Sequence, residues 1–350
     1  MTTMKALVFH GPNDIRVEKV PKPVAGPGEA IVKVTLTTIC GTDIHILSGG
    51  YPVRPGLIIG HEFVGVIDSL GAGVAGINVG DRVAIGAITP CGTCFYCQSG
   101  SPAQCGGLIG GWKFGNTIDG AQAEYIKIPY AQYNIAKIPD ELTDEQVLFV
   151  GDIMTTGFSA SDSAKVKIGD AVAIFAQGPV GLCATVGARL SGATKVITVE
   201  SIPERMEMSK RMGADIVLDY TKVDVISEIK KHTGGYGADV AIEAIGTQKT
   251  FENCIRSVRP GGVVSSLGVY EKNVTIPLDA FGAGIGDINI MSTLCPGGYE
   301  RLRRMISVIQ SGRADLTPLI THTFSLDDIK EGYRIFGNKL DKVLKVAIRP

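Results

Sequence analysis

Hydrophobic and polar positions follow one rule in the first third of the chain and another in its middle. Residues 4–9, 31–36, 63–70 and 82–85 are short β-like runs, broken by turn signals such as Pro27-Gly28 and Gly49-Gly50. They predict a compact, mostly β domain whose loops can carry ligands. The pattern changes near residue 152. Residues 171–176 read as a buried strand, 179–190 as a helix, 195–199 as a strand and 203–212 as a helix. Further strands are predicted at 216–218, 239–242 and 263–266, separated by helical stretches. Strands that alternate with helices imply βαβ units and a parallel sheet. The last stretch holds two helical patterns, 299–311 and 326–336, and a strand-like run at 343–348.

Composition narrows the function classes. A length of 350 residues suits two domains, and 45% hydrophobic against 20% charged residues supplies a sizeable core. The formal net charge of -1 removes the electrostatic argument for nucleic acid or an acidic membrane as partner. No run approaches the roughly 20 apolar residues of a membrane span, and the first residues lack a leader pattern. Of eight cysteines, four crowd one short stretch, which suggests a cytoplasmic, metal-binding chain before a disulfide-bonded one.

Three constellations carry chemistry. Cys91, Cys94 and Cys97, followed by Cys105, offer four thiolates from one loop, enough to enclose a structural zinc with no open position. The plainer alternative is buried thiols or a redox pair. The second constellation is dispersed: Cys40, His61 and Asp152 could supply sulfur, nitrogen and oxygen to a catalytic zinc that keeps one position open. Spacing alone leaves their convergence undecided. The third is Ala176-Gln-Gly178-Pro179-Val180-Gly181, between the apolar strand and its helix. There backbone N–H groups at the helix start can meet a pyrophosphate. Glu200 closes the next strand, where an acid accepts both ribose hydroxyls and repels a 2′-phosphate, favouring NAD over NADP. The alternative is an ordinary turn with a solvated glutamate.

Together these pieces resemble the medium-chain dehydrogenase/reductase superfamily, in its zinc-containing alcohol dehydrogenase branch. The resemblance covers essentially the whole chain. It is carried by Gly60-His61-Glu62 with Gly65, the four-cysteine loop, Cys40-Gly-Thr-Asp-Ile-His45 and Gly178-Pro-Val-Gly181. Similarity is greatest to bacterial secondary-alcohol dehydrogenases, through Ala87-Ile-Thr-Pro90, Gly111-Trp-Lys-Phe114, Asp152-Ile-Met-Thr-Thr-Gly157 and Leu294-Cys-Pro-Gly-Gly298. Two departures matter. NADP-dependent members of that branch carry Gly-Ser-Arg where this chain has Glu200-Ser201-Ile202, and they lack the four-cysteine loop.

The resemblance implies an α/β protein. A GroES-like, mostly β catalytic domain would be formed by residues 1–152 and 295–350, with a Rossmann doubly wound parallel sheet in residues 153–294. It implies two zincs per subunit, NAD, a small alcohol or ketone substrate and a homotetramer or homodimer pairing near residues 289–292. Cys40, His61 and Asp152 would ligate catalytic zinc. Glu62 would lie beside the metal, able to approach it or to act as hydrogen-bond partner of a ligand. Thr42 would receive the alcohol proton and pass it through the cofactor ribose to His45. Arg205 would face the adenosine and Lys342 the phosphates, while Ile245-Gly246 and Gly268-Val269 would line the nicotinamide. Ile88, Trp112, Leu294 and Cys295 would wall an apolar substrate pocket. Polyol, butanediol or threonine dehydrogenases share the metal and cofactor residues, and zinc-free quinone or enoyl reductases share the fold without the ligands. A non-catalytic zinc scaffold would have no reason for Glu200.

Overall fold

The computed structural model describes residues 2–270, 272–276, 279, 284 and 286–350. The chain divides into two compact units, Met1–Thr155 with Cys295–Pro350, and Thr156–Leu294.

Among the described residues, the second unit holds six parallel strands. Their order is Ile216–Leu218, Lys195–Val199, Ala171–Phe175, Ala238–Glu243, Val258–Ser266 and Asn289–Ser292. Along Ala171–Phe175, Val172 and Ile174 enter one buried cluster, Ala173 and Phe175 another. Both faces are covered, which explains an apolar run without polar alternation. The chain first builds outward from Ala171–Phe175 and then returns to add Ala238–Glu243 on its other side. The order therefore reverses between these two strands, and ligands of such sheets bind beyond the carboxyl ends at that point. Phe175 is in register with Val199 on one side and Glu243 on the other.

The first unit is a β structure. A seven-stranded sheet runs Ile320–Ser325, Lys345–Arg349, Ala30–Thr38, Phe63–Leu70, Arg82–Ile85, Ile135–Lys137, with Tyr125–Ile128 also on Ala30–Thr38. Ala347 pairs with Thr38, so the late strand sits inside a sheet begun by early residues. Asp14–Pro21, Thr3–Gly11 and Leu57–Ile58 form a smaller sheet. Phe63 meets Phe114 edge to face, ring centroids 5.5 Å apart, within a core that includes Val32, Ile85 and Ile126.

The helix expected over 326–336 begins only at Ile329. Ser325 Oγ donates to Asp328, and the Asp328 N–H donates back to Ser325 Oγ, holding the intervening residues in a turn. No helix among the described residues is long and apolar enough to cross a membrane.

Candidate active site

The four clustered thiols gather around one point. Cys94 Sγ lies 3.5 Å from Cys97 Sγ and 4.0 Å from Cys105 Sγ, and Cys91 Sγ is 4.0 Å from Cys97 Sγ. Four thiolates each about 2.3 Å from a tetrahedral zinc are separated by about 3.8 Å, so the spacing fits. Backbone N–H groups of Thr93 and Cys94 donate to Cys91 Sγ, and that of Cys91 to Cys105 Sγ. The Thr93 hydroxyl and N–H hold Cys91 down to about 5, whereas burial pushes Cys97 up to about 12. Without a cation the tetrad does not ionise together, and a dication resolves the conflict. None of the eight cysteines is in a disulfide.

The dispersed constellation also converges. Donor atoms of Cys40, His61 and Asp152 lie within 4.8 Å of one another. Asp152 Oδ2 is 3.8 Å from Cys40 Sγ and 3.3 Å from His61 Nε2. Bonds of about 2.0–2.3 Å to tetrahedral zinc require about 3.4–3.6 Å between such donors, so these three fit an open site. Cys40 precedes the helix Gly41–Leu47, His61 precedes the strand Phe63–Leu70, and Asp152 follows a short helical turn. Burial works against a charged His61, yet Asp43, Cys40 and Asp152 outweigh it and hold the ring well above the usual histidine range. A cavity with this much negative charge favours a cation.

Two residues of this site were not anticipated from sequence. Asp43 is fully buried. Its Oδ1 stands 3.4 Å from His61 Nδ1, while its Oδ2 accepts from the Cys40 N–H at 2.9 Å and from Gln122 Nε2 at 3.2 Å. Such a carboxylate fixes which ring nitrogen faces the metal. The other is Lys345, 1% exposed in side chain, whose Nζ lies 2.5 Å from Glu62 Oε2 and donates to the Ile39 carbonyl. Against burial, Glu62 and Cys40 keep this ammonium above its ordinary range. Glu62 Oε1 accepts from the Ile153 N–H at 3.4 Å, next to Asp152. Glu62 is thus held on both oxygens.

Thr42 and His45 share the helix after Cys40, both half-buried, with Thr42 Oγ1 3.9 Å from Cys40 Sγ. Ile88 and Trp112 pair across a backbone bridge and are buried, as is Cys295, while Leu294 is partly exposed. Trp112 Nε1 donates to the Phe114 carbonyl, which fixes the indole. Its ring centroid lies 6.1 Å from that of His61 and 4.9 Å from that of Tyr51, another aromatic wall that sequence reading passed over.

In the second unit, Gly178 is the N-cap of the helix Pro179–Leu190, which Val180 and Gly181 continue. A Cβ at Gly181 would sit 2.0 Å from the Ala176 carbonyl, so only glycine allows this close helix–strand approach. A Cβ on Gly178 would meet only Arg205 Nη1, at 3.9 Å. The open helix start with a guanidinium above it fits an anion such as a pyrophosphate. Glu200 is 5% exposed. Its carboxylate accepts from the N–H groups of Gln177, Ser201 and Ile202, with Arg205 Nη1 at 3.9 Å. Ile245 and Val269 are half exposed beside Gly246 and Gly268. Lys342 lies exposed in a turn at φ +60°.

The chain matches known families and proteins along most of its length. Residues 26–140 match the alcohol dehydrogenase GroES-like domain, and residues 179–311 the zinc-binding dehydrogenase family. An alcohol dehydrogenase of Cupriavidus necator is 52% identical, over 99% of each chain. The NADP-dependent isopropanol dehydrogenase of Thermoanaerobacter brockii is 34% identical over 93% of this chain and 94% of its own. The structure of alcohol dehydrogenase TADH from Thermus sp. ATN1 superposes with a TM-score of 0.90 at 32% identity, covering 99% of each chain. Relatives of this identity along its full length, on top of two convergent sets of metal donors, make the chain a member of the zinc-containing alcohol dehydrogenases of the medium-chain dehydrogenase/reductase superfamily.

Proposed function

We propose that this alcohol dehydrogenase interconverts an apolar secondary alcohol and its ketone, with NAD as hydride carrier. One observation carries the choice of cofactor: Glu200 is a buried carboxylate fixed by three backbone N–H groups beyond the strand Lys195–Val199. A fixed anion there accepts ribose hydroxyls and repels a 2′-phosphate. Like charges face to face cost several kcal/mol, so NAD is preferred over NADP by roughly 100-fold. The Thermoanaerobacter brockii relative, NADP-dependent by name, supports the secondary-alcohol class rather than the cofactor. The buried, apolar Ile88 and Trp112 favour a hydrophobic substrate over a polyol.

Zinc held by Cys40, His61 and Asp152 would supply a Lewis acid that eases loss of the alcohol proton, and a nicotinamide dinucleotide would supply the hydride acceptor. Cys40, His61 and Asp152 hold the metal, and Asp43 steadies His61 from behind. The Thr42 hydroxyl takes up the alcohol proton, and His45 on the same helix receives it in turn. Gly178–Gly181 and Arg205 would bind the phosphates and adenosine. The chain acts in the cytoplasm, as four cysteines gathered at one metal site suggest, and copies pair through the edge strand Asn289–Ser292, where Met291 is exposed.

The test is nicotinamide reduction by the purified enzyme over primary alcohols, secondary alcohols and diols, with NAD and NADP in parallel. Secondary alcohols should turn over with NAD, activity should vanish on chelation and return with zinc, and Thr42→Val should cut turnover while zinc stays bound. A preference for diols would favour the butanediol or polyol reading. Preference for NADP would remove the Glu200 argument, and activity without metal would point to a zinc-free reductase.

A further inference from the structure

The segments that flank the four-cysteine loop, residues 88–91 and 111–113, lie against each other. The Thr89 N–H donates to the Gly111 carbonyl at 2.8 Å and the Thr89 hydroxyl to the same oxygen at 3.3 Å, next to the Ile88–Trp112 bridge. The far end of the loop folds back onto this pair. The Gly111 N–H donates to the Ala103 carbonyl at 3.1 Å, and the Ile109 N–H to Gln104 Oε1 at 2.7 Å. A Cβ at Gly111 would lie 2.6 Å from the Ala103 carbonyl oxygen and 2.8 Å from Ile88 Cγ2, so only glycine fits between loop and wall.

Lys113 closes this frame. Its Nζ donates to the Thr89 carbonyl at 3.1 Å, stands 3.9 Å from Cys105 Sγ and lies 5.0 Å from the centre of the Tyr130 ring. Thr89 and Cys105 are both buried, so the ammonium meets them away from water. Four thiolates around one zinc dication leave a net charge of about -2, which draws a neighbouring ammonium toward the cage. The residue before Lys113 faces the other way. The Trp112 ring packs against that of His61, beside the open position left by Cys40, His61 and Asp152. Two adjacent residues thus join the two metal sites: Lys113 holds the thiol cage and the carbonyl after Ile88, and Trp112 borders the open metal.

We propose that Lys113 is a positioning residue for the substrate. By tying Cys105 to the Thr89 carbonyl it makes the four-cysteine loop the support of Trp112, and so sets how closely an alcohol is held at the open metal position. This rests on the reading that the alcohol binds beside Cys40, His61 and Asp152. A lysine that only steadied the loop would change its unfolding and leave Trp112 and KM alone. A positioning lysine changes the surroundings of Trp112 and KM together, and leaves kcat to the metal and the hydride acceptor.

The experiment compares the zinc-loaded full chain with Lys113→Met, which keeps an apolar stem without the charge, and Lys113→Arg, which can donate to carbonyl and thiolate alike. Zinc per chain is counted first. Trp112 is the single tryptophan, so acrylamide quenching of its emission reads its surroundings directly. With zinc content unchanged, Lys113→Met should raise the quenching constant about twofold and KM about three- to tenfold, the range of one charged hydrogen bond shared between two acceptors. The KM is that of the alcohol which the unchanged chain oxidises fastest, and kcat should stay within about twofold. Lys113→Arg should restore both readings. If Lys113→Met does not fold or loses zinc, Lys113→Gln, which brings a donor to the carbonyl and no charge to the thiolate, is read in the same way. Unchanged quenching in a variant that keeps its zinc overturns the proposal whatever KM does, and so does an unchanged KM. An unchanged chain that oxidises no alcohol overturns the substrate reading instead, and quenching alone then decides whether Lys113 holds Trp112.

Discussion

At the scale of single residues, the metal donors are legible and their supports are not. Cys40 and His61 stand in motifs, whereas Asp43 acts through the far side of the His61 ring, a relation no sequence window contains. One signal was available: an acid three residues after Cys40 at a helix start, where a carboxylate caps the first turn. Asp43→Asn keeps an acceptor for the Cys40 N–H and removes the charge behind His61. Zinc affinity at the Cys40–His61–Asp152 site should fall about 10- to 100-fold. Competition with a chromophoric chelator measures this, and an unchanged constant would strip Asp43 of that part. Lys345 gave a signal too, as the lone cation in Val343-Leu344-Lys345-Val346-Ala347-Ile348. Burial holds the Glu62 carboxyl up at about 7 even beside this ammonium, so its loss leaves the acid buried without its partner and forced to take up a proton. Lys345→Met should destabilise the first unit by about 3–5 kcal/mol, and adding Glu62→Gln should recover much of it. Trp112, the single tryptophan, lies in that unit and reports its unfolding in urea. A double variant no better than Lys345→Met would mean that packing, not charge, dominates.

Among elements, strong periodicity was the reliable guide. Residues 63–70, 82–85, 179–190 and 195–199 form the elements that their pattern predicts. Asp14–Pro21 and Ile320–Ser325 were not anticipated, because almost all their residues are partly buried or exposed and pairing with a neighbour sets their conformation. The turn proposed to hold the pyrophosphate shows how local rules yield to the surrounding structure. Its first position is Ala176 rather than glycine, at φ +73°. That region costs a residue with a Cβ about 1–2 kcal/mol, partly offset in glycine by its freer unfolded chain. Ala176→Gly should therefore stabilise the protein by about 0.5 kcal/mol, read as a raised thermal midpoint. A lowered midpoint would show that the alanine methyl earns its place by packing.

Across the whole chain, the two metal sites separate by role. Stripping zinc with a strong chelator should speed amide exchange through residues 91–105, where thiols alone cannot ionise together, and leave strands such as Ala171–Phe175 as protected as before. Equal loss of protection in both places would show that the metal supports more than its loop. What no local pattern records is the pairing of Ala347 with Thr38, since register between distant strands is written in neither segment. That pairing also bears on time. Lys345 bonds the Ile39 carbonyl across 306 positions of sequence. A ribosome adding about 5–20 residues each second needs roughly 15–60 s to span that gap. Throughout that interval the nascent Ala30–Thr38 strand has an open flank and Glu62 has no ammonium. The Thr156–Leu294 unit, contiguous in sequence, can fold during translation; the unit that holds the zinc cannot close until its final strand emerges.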